Sequence, residues 1–176
     1  WFGMWGFYGN NPYPENLFEA VQSWSGILKH WPIIKALEVW NEPDIIFGNY
    51  LPPEYQTAFT RALALKVRNE KNSCQILGGV LAFTADGDGN LDRYRAWVES
   101  GITDSPDIMS FHIYKQVADL EPLVKGMRQI EKETAPLSLG IPYWVTESGM
   151  PWRNQPLRAE ANDDRFAASE IVGKAI

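Results

Sequence analysis

The stretch Asp107-Ile108-Met109-Ser110-Phe111-His112-Ile113-Tyr114 decides the fold. Its odd positions Met109, Phe111 and Ile113 are large and apolar, while Ser110, His112 and Tyr114 share the other side of a two-residue repeat. That pattern describes a strand that lays one face on a helical layer and turns polar groups toward an interior. Outward from it, apolar strand-like runs over Leu37–Trp40, Gln75–Phe83 and Tyr143–Glu147 alternate with helical periodicities. The helices are expected at about 15–30, from Pro52-Pro53-Glu54 to Asn72, at 91–100, at 120–134 and from Asp163 on. Leu17, Phe18, Val21, Trp24 and Leu28 should line the buried side of the first, and Tyr55, Phe59, Ala62, Leu63 and Val67 that of the second.

An alternating βα order with strands apolar on both faces predicts an α/β fold with a parallel sheet. Parallel strands joined by right-handed crossovers close into a barrel or stay open and doubly wound. The glycine fingerprint of a dinucleotide fold is missing, which favours the barrel. A complete (β/α)8 barrel takes about 250 residues, and this chain has 176. Four clear strands plus a possible remnant at residues 1–8 predict one partial TIM-barrel domain over 1–176, about strands 3/4 to 7. Starting at Trp1 in an aromatic run, the chain is expected to be truncated or processed, and two unpaired sheet edges are expected to favour self-association or pairing with a missing barrel segment.

Composition removes several function classes. The chain is 45% hydrophobic and carries a formal charge of −6. With no basic cluster, nucleic acid is a poor partner. No apolar run approaches the roughly 20 residues of a membrane span. One cysteine, Cys74, and two histidines provide neither an internal disulfide nor a multi-ligand zinc pattern, so no metal or cofactor is expected. The run Asp86-Gly87-Asp88-Gly89-Asn90-Leu91-Asp92 resembles the start of a calcium loop, but Leu91 stands where glycine is needed and Trp97 where the bidentate glutamate belongs. A turn capping the next helix is the better reading.

Two strand-like runs end in a glutamate among turn formers: Leu37-Glu38-Val39-Trp40-Asn41-Glu42-Pro43-Asp44 and Tyr143-Trp144-Val145-Thr146-Glu147-Ser148-Gly149. Alternation places Glu38, Trp40 and Glu42 on one face of the first, and Tyr143, Val145 and Glu147 on one face of the second. Asn41 has the opposite parity and needs a bulge to join them. Carboxyls at strand ends in a common mouth can divide acid and nucleophile roles.

Trp40-Asn41-Glu42-Pro43 and Thr146-Glu147-Ser148-Gly149 resemble the motifs of retaining glycoside hydrolases of the (β/α)8 clan A superfamily, which close strand 4 with Asn-Glu and strand 7 with Glu. The resemblance runs from about residue 33 to 152. It implies Glu42 as general acid/base, Glu147 as nucleophile and Asn41 as donor to the sugar 2-hydroxyl. His112 and Tyr114 match the family habit of a His and a Tyr near the nucleophile, and Trp152 is a candidate for stacking on sugar. The implied activity is cleavage of O-glycosidic bonds of a poly- or oligosaccharide without a cofactor, in a secreted or periplasmic setting.

Simpler readings stand beside these. Asn, Pro and Asp are turn formers in any protein, a single inward histidine is commonly a core residue, and most of the eight tryptophans pack cores and helices. Trp5 and Trp40, near other strand ends, join Trp152 as exceptions. Glu38, deeper than Glu42, reads as a buried hydrogen-bonder, and His30 as a helix C-terminal residue. A glycan-binding barrel without turnover, or an inactive barrel fragment, remains the alternative function.

Overall fold

The computed structural model describes residues 14, 16–45, 52–83, 89–113, 117–138 and 140–148. The opening aromatic stretch with Trp5, residues 86–88 of the calcium-like run, Tyr114, Trp152 and the helix expected from Asp163 lie outside the described residues. The order is α1 (Leu17–His30), β1 (Ala36–Glu38), α2 (Pro53–Asn69), β2 (Gln75–Phe83), α3 (Gly89–Glu99), β3 (Ile108–Ile113), α4 (Val117–Thr134) and β4 (Tyr143–Ser148).

Local chemistry sets the helix limits. Asn16 caps α1 by accepting the Glu19 N–H on its side chain, while Lys29 and His30 stand in the last turn where the helix dipole favours cations. Pro53 opens α2, where a missing N–H costs nothing. At its far end Glu70 binds Lys66 and Lys29 and accepts a 2.5 Å hydrogen bond from Ser25 Oγ of α1. These contacts, the Lys66 bond foremost, hold the Glu70 carboxyl down to about 2.

The four strands pair in parallel in the spatial order β1-β2-β3-β4. Spatial order equal to chain order, with no reversal, is the winding of a barrel wall rather than of a doubly wound sheet. The result is a parallel half-barrel of four strands with helices, in which β1 and β4 each have one neighbour among the described residues.

The helices cover one face through two core clusters. In the first, Val21 and Leu28 of α1 meet Phe59, Leu63 and Val67 of α2 over Ile76 of β2. In the second, Met109, Phe111 and Ile113 of β3 meet Tyr94 and Trp97 of α3 and Met127 and Ile130 of α4. Burial of such side chains, about 1.5–3 kcal/mol each, is the main force holding helices to sheet.

Several expectations are corrected here. Phe18 is 72% exposed and Tyr55 51%, so neither belongs to the buried stripe of its helix. Gln56 and Thr60 take the place of Tyr55, and the Gln56 side-chain amide donates to the Val39 carbonyl just past β1. β1 is also shorter than its apolar run suggests, ending at Glu38. Trp40, at φ 76°, breaks the alternation that was to align it with Glu42.

β2 carries an irregularity that matters for the site. A Cβ on Gly78 would stand 2.7 Å from Pro106, so only glycine allows this close approach. Gly79, at φ 83°, and Val80, at φ 49°, then form a bulge where the register with β3 shifts.

Candidate active site

On the face away from the helices, the sheet gathers acid groups around one imidazole. His112 is inward on β3, as its alternation predicts, with a side chain only 1% exposed. Its Nδ1 lies 2.9 Å from Oε1 of Glu42 and 3.5 Å from Oε2 of Glu147. A carboxylate oxygen from each glutamate and a ring nitrogen of His112 lie within 4.8 Å of one another. The Glu42 side chain is 12% exposed and that of Glu147 34%, so the cluster opens toward the nucleophile candidate.

The two glutamates arrive by different backbone devices, and neither is the simple alternation the sequence suggests. In β4, Tyr143 does not share the face of Glu147. It packs into the α3–α4 cluster, edge-on to Phe111, and donates its hydroxyl to Glu131 of α4. The register then slips: Phe111 pairs with Val145, but His112 pairs with Glu147. That extra residue turns Glu147 inward beside His112 and leaves Trp144, partner of Ser110, on the inward face at 42% exposure.

Glu42 is brought in by a left-handed turn. Trp40 sits at φ 76° and Glu42 at φ 42°, conformations that cost an L-residue of order 1–3 kcal/mol. The cost is offset by bonds to β2, since Val39 N–H donates to Leu77 O and Glu42 N–H to Val80 O, both at 3.0 Å. Asn41, half-buried, lies between these two residues.

Burial works against a charged His112, but its bond to Glu42 and the charges of Glu147, Glu38 and Glu42 outweigh it and raise its pKa above the usual histidine value. Oε1 of Glu38 is buried without a hydrogen-bond partner among the described residues, so that oxygen does not fill the bonding role expected of the residue. Glu42, His112 and Glu147 are the one group of three potential metal donors among the described residues. Their donor atoms already pair through one nitrogen, which suits proton sharing and positioning. Chemically, the arrangement sets two carboxyls at short range around one nitrogen of an imidazole. Asp44, which accepts the Ala82 N–H on Oδ1 at 2.8 Å beside this turn, was not singled out in the sequence, where its only signal is its place after Asn41-Glu42-Pro43.

No family model matches the chain, and no curated protein sequence does. Solved structures do. A GH39 β-xylosidase from Caulobacter crescentus superposes with a TM-score of 0.62 at 18% identity, over 96% of this chain and 37% of that one. A monomeric β-xylosidase from Caulobacter crescentus CB15 gives 0.62 at 17%, over 94% and 37%. The GH39 enzyme from Xanthomonas axonopodis pv. citri gives 0.58 at 14%, over 90% and 34%. At these identities the likeness is one of fold: the chain has the parallel barrel-wall architecture of these glycoside hydrolases and spans about a third of their length.

Proposed function

We propose that this half-barrel is the catalytic part of a retaining O-glycosidase, with Glu147 as nucleophile and Glu42 as general acid/base. The observation that carries the reading is the convergence of both carboxyls on His112 within 4.8 Å. Retaining pairs stand about 5–5.5 Å apart, whereas inverting pairs need about 6.5–9.5 Å to admit a water.

In the first step a Glu147 oxygen bonds to the anomeric carbon as the glycosidic C–O bond breaks, and Glu42 gives its proton to the leaving oxygen. In the second, Glu42 takes a proton from water, the water oxygen bonds to the same carbon, and Glu147 leaves as carboxylate. His112, holding its own proton, anchors Glu42 through Oε1, so that the proton to be transferred can ride on Oε2. Asn41 and Tyr114 fit donor roles toward the sugar and the nucleophile, and Trp152 a stacking role, by the motif resemblance.

The GH39 β-xylosidases of the same fold make a β-xyloside the first substrate to try. A poly- or oligosaccharide substrate suits a secreted or periplasmic location. The test is proton NMR of the first-formed sugar from an aryl β-xyloside and from a panel of other aryl glycosides. Retention of anomeric configuration supports the reading, and inversion removes it. The second reading is a barrel wall that holds a glycan without turnover. Glycan binding with no hydrolysis of any aryl glycoside would select it.

A further inference from the structure

Asp44 stands two residues past Glu42 and takes no part in the pairing of Glu42 with His112 and Glu147. The turn it closes is held to β2 at successive points: Val39 N–H to Leu77 O, Glu42 N–H to Val80 O, and Ala82 N–H to Oδ1 of Asp44 at 2.8 Å. Within the turn, Ile45 N–H donates to Glu42 O, so Glu42 lies between an anchor on either side. Arg93 of α3 reaches the Asp44 carbonyl at 3.4 Å. Ala82 is the register partner of His112, which puts the Asp44 anchor in the same layer of the sheet as the imidazole.

We propose that Asp44 is a positioning residue for Glu42: by accepting the Ala82 N–H, its carboxylate clamps the left-handed turn to the bulged strand β2 and directs the Glu42 side chain at His112. The inference rests on the reading of Glu42 as acid/base only for its effect on rate. The clamp itself stands on backbone geometry, because two residues at positive φ return to an extended path unless something holds them.

Burial is the largest influence on the Asp44 carboxyl and pushes it up to about 6, against the Ala82 bond and Arg93, with Glu42 adding to the rise. Among the described residues the charged groups acting on it are thus Glu42 from its own turn and Arg93 from α3, while β2 presents a backbone amide. A neutral carboxyl is a weaker acceptor than a carboxylate. The clamp therefore loosens as the pH falls through this value.

The test follows backbone amides by NMR in the wild-type chain, Asp44→Asn and Asp44→Ala, with aryl-glycoside kinetics alongside. The Ala82 amide proton of the wild type should titrate with a midpoint near 6. That step should vanish in Asp44→Asn, while the higher one from His112 persists. Asp44→Ala should lower the exchange protection of the Glu42 and Ala82 amides about ten-fold or more and leave Ile76, at the other end of β2, unchanged. Its kcat should fall about ten-fold at unchanged KM, with Asp44→Asn recovering most of the rate, because an amide oxygen still accepts the Ala82 N–H. An Ala82 amide with no titration step that Asp44→Asn removes, or Glu42 and Ala82 amides as protected in Asp44→Ala as in the wild type, overturns the proposal. A wild type that hydrolyses no glycoside sinks the proposed function instead, and the amide titration still decides the clamp.

Discussion

Two acidic clusters lie on opposite faces of the same strands, and they are built on opposite terms. On the helix side, Glu131 is fully buried and completely answered. Tyr94 donates its hydroxyl at 2.7 Å, Tyr143 donates its own, and Arg128 Nη1 approaches at 2.8 Å. Arg128 also lies 3.6 Å over the Tyr143 ring and donates to Ile141 O at 2.6 Å, tying α4 to the start of β4. On the inner face, two carboxyls share a single imidazole nitrogen, one of them on a residue at positive φ, and Glu38 Oε1 has no hydrogen-bond partner among the described residues. The difference teaches that burial of charge does not by itself mark a site. What marks it is like charge brought together around one imidazole, on backbone that is held out of its preferred shape.

The comparison breaks most visibly in activity. Glu147→Ala should lower kcat by roughly 10⁴-fold with little change in stability. Azide, filling the gap left by the carboxyl, should restore turnover and give a glycosyl azide of inverted configuration, identified by NMR. Unchanged activity in this variant would remove the nucleophile assignment.

On the other face the damage should appear in folding. Glu131→Ala leaves a buried tyrosine, a half-buried one and a half-buried arginine without this acceptor, and should destabilise the chain by about 3–5 kcal/mol in urea unfolding. A loss under about 1 kcal/mol would mean that the network adds little to the packing around it.

A smaller effect, of opposite sign, belongs to Asp44. Its folded pKa of about 6 lies above its unfolded value, 3.8, so the folded chain holds this proton more tightly. The associated stability is complete below the unfolded value and is lost as the pH rises through about 6. His112, also raised, acts in the same direction at somewhat higher pH. Asp44→Asn should therefore raise stability at pH 7, by up to about 2 kcal/mol, and flatten the fall between pH 4 and 6 that thermal melts of the wild type should show. A variant less stable than the wild type at pH 7 would show that the carboxylate is better solvated than its burial implies.

Much of the wall was legible before its coordinates. β2 runs over Gln75–Phe83 as its apolar run indicates, and the alternation of Met109, Phe111 and Ile113 against Ser110 and His112 sorts β3 correctly between helix layer and interior. Legibility fails where the period fails. The slip between Val145 and Glu147 turns Tyr143 outward although it shares parity with Glu147, and no residue in β4 signals a bulge. The turn at Trp40 and Glu42 is equally silent, because neither residue type favours a left-handed conformation and the bonds that hold it come from β2, about 40 positions along the chain. Gly78-Gly79 stands inside the apolar run of β2, and it was not read as a bulge that would present Val80 O to Glu42. Helix faces were misread at Phe18 and Tyr55 because a hydrophobic stripe has soft edges, and the polar Gln56 won a buried place through its bond to Val39.

The central claim, that Glu147 attacks sugar while Glu42 stands across from it, is tested most directly by trapping. A 2-deoxy-2-fluoro xylosyl fluoride slows both steps of double displacement but keeps a good leaving group, so the covalent glycosyl-enzyme accumulates. Peptide mass spectrometry should find a single added fluorosugar on the carboxyl of Glu147, absent from Glu147→Ala. An adduct on any other residue, or hydrolysis of a xyloside with no adduct at all, would contradict the account.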